Sequence, residues 1–114
     1  MNKDINIIAR HILDSIDAIT SYLKGVSKSD LEKDRLKQSA VIRELEVIGE
    51  AVKNISESIK KEYPNIQWKQ IVGMRDKLIH HYFGVDLDTI WETIEKDIPN
   101  LEKCIKQILQ KNNK

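Results

Sequence analysis

The 114-residue chain is short of the residues that break or staple a fold. It has one cysteine, Cys104, so no internal disulfide can form and no cysteine-based metal site can be built. A reduced, cytoplasmic setting fits that usage, and Cys104 reads as a small buried apolar residue. Four glycines and two prolines punctuate the whole length, which favours long helices over many short strands. Neither sign of charge dominates. Nineteen basic and 18 acidic residues leave a net charge of +1. That balance excludes a nucleic-acid binder held by global charge alone, but leaves room for a local basic cleft. No apolar run approaches the roughly 20 residues of a membrane span, and charges run through "MNKDINIIARHILDSIDAI", so no membrane association or signal peptide is expected.

What is present is helical periodicity. Ile5, Ile8, Ile12, Ile16, Ile19 and Leu23 recur every three or four residues and predict a first helix over residues 3–23, closed near Gly25. Ser29 with Glu32 fits a capping box, and Asp34 is a second candidate cap. The spacing does not choose between one long helix from Ser29 and a short turn followed by a helix from Asp34. Val41, Leu45, Ile48, Val52, Ile55 and Ile59 step by four and three, predicting one long helix that Tyr63–Pro64 closes. Ile42 and Gly49 widen its stripe. Trp68 and Ile71 anchor a short helix or turn in "NIQWKQIVG", which Gly73 separates from the next helix. Asp88 is expected to cap the last helix, over residues 89–110. Its seam of Ile90, Ile94, Ile98, Leu101, Ile105 and Ile108 passes through Pro99 with a kink rather than a break. One domain over residues 1–114, with 110–114 fraying, is the expectation. The fold class is all-α: an up-and-down bundle of four main helices with an extra short one.

The stretch "MRDKLIHHYFGVD" departs from this plain pattern. Arg75, His80, His81 and Tyr82 fall within eight residues of a chain that has three histidines in all. At about 100° per residue, Arg75 and Tyr82 lie within about 20° of one another, whereas Arg75 and His80 are about 140° apart. Asp76 and His80, four apart, are neighbours. Arginine and histidine converge only if the helix ends near His80 or a second subunit completes the site. Arginine offers a permanent planar cation for phosphate oxygens, and histidine titrates near neutrality as a general acid or base. Together they suit phosphate-ester chemistry on RNA, whose 2′-hydroxyl is an internal nucleophile. Adjacent histidines diverge on a helix, so His80 and His81 do not make a metal pair. Each residue also has a structural reading. Arg75 would be an exposed helix arginine or a glutamate's partner, His80 a dipole-stabilised residue at a helix C-terminus, and Tyr82 a core aromatic with its hydroxyl at the rim. His11 reads as surface. Arg43, Lys69 and Lys77 are candidate rim cations.

"RDKLIHHY" resembles the R-x4-H-x-Y motif of HEPN-domain ribonucleases, and among them the HepT-like toxins of toxin–antitoxin pairs. "VIRELEVIGEAVKNIS", "WKQIVGMRDKLIHHYFGVDLDTIWETIEKDIP" and "LEKCIKQIL" extend the resemblance over nearly the whole chain. The resemblance implies a homodimeric HEPN-like bundle with Arg75 and His80 of both subunits around one cleft. It implies a metal-independent endoribonuclease toxin, without a cofactor, in a type VII-like pair. Arg75 and His80 would be catalytic, with Tyr82 orienting the site. Its partner would be a minimal nucleotidyltransferase antitoxin that transfers AMP to Tyr82. His81 fills the variable position of the motif. Asp76, His81 and Glu50, the last in "IGEA", are possible accessory residues. The alternative is a non-catalytic helical module that binds and regulates a nucleotidyltransferase.

Overall fold

The computed structural model describes residues 4–73 and 86–112. Arg75, Asp76, Lys77, His80, His81 and Tyr82 lie outside them. The described residues form helices and connecting turns, with no strand among them, and the expected all-α class stands. None of these helices is long and apolar enough to cross a membrane.

Helix α1 spans Ile5–Tyr22. The Asp4 side chain accepts from the Asn6 N–H at 2.9 Å, satisfying one donor that a helix start leaves open. Gly25 follows at φ 72°, the left-handed region where a Cβ would strain the backbone. The predicted seam is the buried face: Ile8, Ile12, Ile16 and Ile19 are buried, and Ile5 and Leu23 pack at its ends.

Helix α2 is the five residues Lys28–Glu32. Its capping box is Ser27 with Asp30, not Ser29 with Glu32. The Ser27 hydroxyl accepts from the Asp30 N–H, and the Asp30 carboxylate accepts from the Ser27 N–H, both at 3.0 Å. Helix α3, Arg35–Lys53, then starts on Asp34, which accepts from the Lys37 N–H. The chain thus takes the short turn and fresh start.

The expected single helix to Tyr63 is interrupted. Asn54 ends α3, and its side-chain amide donates to the Glu50 carbonyl at 2.9 Å. Ser56 opens helix α4, Glu57–Glu62, by accepting from the Ile59 N–H. Asn and Ser side chains here offer the backbone partners that compete with the helical ladder. The apolar pattern survives the break because Ile55 stays buried and Ile59 packs on the core. Trp68 then binds this region down, its indole N–H donating to the Tyr63 and Lys60 carbonyls at 3.0 and 3.2 Å. Residues 68–73, Gly73 included, are helical and are labelled α5, and the next helix expected beyond Gly73 lies outside the described residues. Ile71 is buried as expected, while Trp68 is half-buried against the core.

The last helical stretch starts on Asp86, two residues before the expected cap. Asp86 accepts from the Thr89 N–H and hydroxyl at 3.1 and 2.7 Å. Asp88 instead forms an ion pair with Lys28 of α2. Helix α6, Leu87–Glu92, passes through a π-helical turn, Thr93–Asp97, into α7, Ile98–Asn112. Pro99 has no N–H to offer the carbonyl of Glu95, and its ring would crowd that carbonyl in an α-helix. The wider turn, in which the Ile98 N–H reaches the Thr93 carbonyl, lies immediately before the proline and lets the helix continue.

Helix α1 packs against α3 and α7. Ile12, Leu45, Ile48, Leu101 and Ile105 are fully buried there, and each such side chain stabilises the fold by about 1.5–3 kcal/mol relative to exposure. Cys104 joins this core, and burial pushes its thiol up to about 11.

Candidate functional site

Two surface grooves gather polar side chains among the described residues. The first, of about 370 Å³, lies between α1 and α3 and is lined by His11, Arg43, Glu46, Glu50 and Asn54, over Ile8, Val47 and Ala51. It forms because α1 and α3 bury their isoleucine and leucine seams and leave the flanking polar residues at the joint. His11, read from sequence as plain surface, is exposed and stands on the same groove as Glu50. Glu50 lies at the exposed flank of α3 and Arg43 two turns before it. The groove therefore brings together an accessory candidate and a candidate rim cation that the sequence left unconnected.

The second groove, of about 690 Å³, is lined by Lys53 at the end of α3, Glu57, Lys60 and Lys61 of α4, and Gln67, Trp68, Lys69, Val72 and Gly73 leading through α5. The turn at Asn54–Ser56 and the indole bonds of Trp68 fold these segments onto one another. Lys60 is the least exposed of the four lysines, with 13% of its side chain accessible, and stands 3.7 Å from Glu57. Lys53, Lys61 and Lys69 are exposed and form no ion pair among the described residues. Lys69 was a candidate from sequence. Lys53, Lys60 and Lys61 were not, and the signal that points to them is the recurrence of lysine through "KNISESIKKEYPNIQWK".

No group of three or more His, Cys, Asp or Glu side chains among the described residues could hold a metal ion. Arg75, His80 and Tyr82, with Asp76 and His81, stand in the sequence between Gly73 of the second groove and the Asp86 cap of α6.

A sequence profile described as "Ribonuclease HepT-like" matches residues 12–108. The chain is 50% identical over 101 residues to "Putative RNase TTE0752" of Caldanaerobacter subterraneus subsp. tengcongensis, covering 89% of this chain and 90% of that one. It is 44% identical over 119 residues to "Gamma-glutamylcyclotransferase and putative RNase MJ0434" of Methanocaldococcus jannaschii, covering all of this chain and 54% of that longer protein. It is 45% identical over 91 residues to "Probable ribonuclease HepT" of Thermococcus cleftensis, covering 80% and 83%. No solved structure matches the chain. A match from α1 to the last turns of α7, with near full-length relatives at this identity, settles the relationship: the chain belongs to the HepT-like ribonuclease family.

Proposed function

We propose that the protein is a metal-independent endoribonuclease toxin that cuts RNA with Arg75 and His80. The observation that carries this reading is R-x4-H-x-Y at residues 75–82, inside a ribonuclease family match that spans residues 12–108. His80 takes the proton of a 2′-hydroxyl. The 2′-oxygen bonds to the adjacent phosphorus, the bond to the 5′-oxygen breaks, and that oxygen leaves with a proton returned by a histidinium. The products are a 2′,3′-cyclic phosphate and a 5′-hydroxyl. Arg75 holds the phosphate oxygens and stabilises the extra charge of the five-coordinate transition state. Two protomers supply the cleft in this reading, since an ideal helix would hold Arg75 and His80 about 140° apart.

Control falls to Tyr82. A nucleotidyltransferase antitoxin joins the Tyr82 oxygen to the α-phosphorus of ATP. The bond to the β-phosphate breaks, pyrophosphate leaves, and the phenolic proton is released. The attached AMP places bulk and negative charge beside Arg75 and His80, opposing RNA phosphate by occupancy and repulsion. Glu50 serves as an accessory residue from α3, as does Asp76, four residues before His80 in the sequence, and His81 carries no required role.

Inducible expression in cells without the antitoxin tests the reading. Wild type arrests growth, whereas Arg75→Ala and His80→Ala proteins, present at equal soluble levels, do not. Equal toxicity of the variants contradicts the mechanism. In the same cells, co-expressing the nucleotidyltransferase restores growth and adds the mass of AMP to the protein, and Tyr82→Phe removes the added mass. An increment that survives Tyr82→Phe places the modification elsewhere.

A further inference from the structure

We infer that the lysine groove of α3, α4 and α5 is a track for the phosphodiester backbone of single-stranded RNA, leading to the motif. This rests on the ribonuclease reading for the identity of the ligand. The groove itself rests on charge and placement.

Among the described residues, four lysines and one glutamate give the lining a net charge of +3, against +1 for the whole chain, so the remaining residues sum to −2. The contrast with the other grooves is sharp. The α1–α3 groove carries Arg43 against Glu46 and Glu50. A third, between α1 and the π-turn region, carries Lys24 against Asp17 and Glu102. A fourth, on α1, carries Arg10 and Asp14. Counting described residues and taking histidine as neutral, none of those three linings is net positive, so among the described residues of the four a polyanion meets attraction in the lysine groove alone. Lys53, Lys61 and Lys69 are also not neutralised by an ion pair among the described residues, so phosphates need not displace a carboxylate from them. Ammonium groups on flexible stems suit a chain whose phosphate positions vary with sequence.

Two further features favour single-stranded RNA over an acidic protein. Trp68 lines the same groove, its indole held by two hydrogen bonds, and an aromatic face among cations is the usual platform for an unpaired base. Gly73 is one of the residues that line the groove. Arg75 follows two residues later, and two residues of extended chain span no more than about 7 Å. The arginine that the ribonuclease reading places on the scissile phosphate is thus tethered, by two residues of chain, to a residue that lines the groove.

The test is binding of a short 2′-O-methyl oligouridylate, which cannot be cut at a 2′-hydroxyl, to wild type and to Lys53→Gln/Lys61→Gln/Lys69→Gln protein. All three side chains are exposed, and circular dichroism checks that the variant folds. Each phosphate contact on a single strand contributes about 0.7 to the slope of log K against log salt, so the triple variant should lower the slope by about 2. Trp68 fluorescence, read in a Trp91→Phe background, should be quenched on binding. An unchanged affinity and slope in the triple variant overturns the inference, whether or not wild type cleaves natural RNA. An unchanged Trp68 signal at saturating oligouridylate also contradicts the track as described. If wild type binds with the expected slope but never cuts RNA, the track stands and the catalytic reading falls. Binding of an acidic polypeptide that oligouridylate cannot displace would instead assign the groove to a protein partner.

Discussion

Single residues divide here into those read from their burial and those read from their chemistry in the sequence. Cys104 belongs to the first kind. Its side chain lies in the core of α7, and burial raises its thiol from 9.0 to about 11. Below pH 9 it should therefore react slowly with iodoacetamide in the native protein and readily in urea, measured by mass. Fast labelling of native protein would contradict its placement. The raised value also sets a sign. Between pH 9 and about 11 the unfolded thiol gives up its proton while the folded one keeps it, so this group's contribution to stability falls as pH rises. Cys104→Ala should remove that part of the alkaline decline. Arg75, His80 and Tyr82 were legible in a different way, from the sequence alone. They stood out in the sequence because reactive side chains are scarce elsewhere, and nothing about core packing was needed to notice them. The lysines of the groove did not stand out. Lysine is common on helix surfaces, and only the folding of α4 and α5 onto the end of α3 gathers Lys53, Lys60, Lys61 and Lys69.

At the scale of elements, apolar spacing foretold which faces are buried and misjudged where helices start and stop. The α1 seam was legible because its isoleucines recur without interruption. The break at Asn54 was hidden because Ile55 and Ile59 keep the rhythm of the seam across it. The caps were displaced by two residues in both "SKSD" and "DLDT", since each offers two competent side chains and periodicity does not rank them. The structure selects Ser27 and Asp86. Losing an N-cap hydroxyl costs about 1 kcal/mol. Ser27→Ala should lower stability by about that amount in urea unfolding, while Ser29→Ala, exposed and outside the capping box, should change it by under about 0.5 kcal/mol. The reverse order would restore the sequence-based assignment. Pro99 shows the other limit. Its survival inside a helix was expected from the seam, but the π-helical turn that accommodates it carries no apolar signature.

For the whole molecule, the near balance of charge is the informative property. With a net charge of +1 per chain, long-range attraction to RNA is weak, and affinity must come from a focused region. The lysine groove has that character, and the family match supplies the substrate class it suits. The central claim is that this HepT-like chain cuts RNA with Arg75 and His80 and without a metal ion. The most direct test incubates purified wild-type, Arg75→Ala and His80→Ala proteins with single-stranded RNA in excess EDTA and identifies the product ends. Wild type should yield 2′,3′-cyclic phosphate and 5′-hydroxyl ends, and each variant, folded by circular dichroism, should lose at least about 100-fold in rate, the usual loss on removing a group that acts in the transition state. Cleavage that stops in EDTA, leaves 5′-phosphate ends, or proceeds unchanged in both variants would contradict the account.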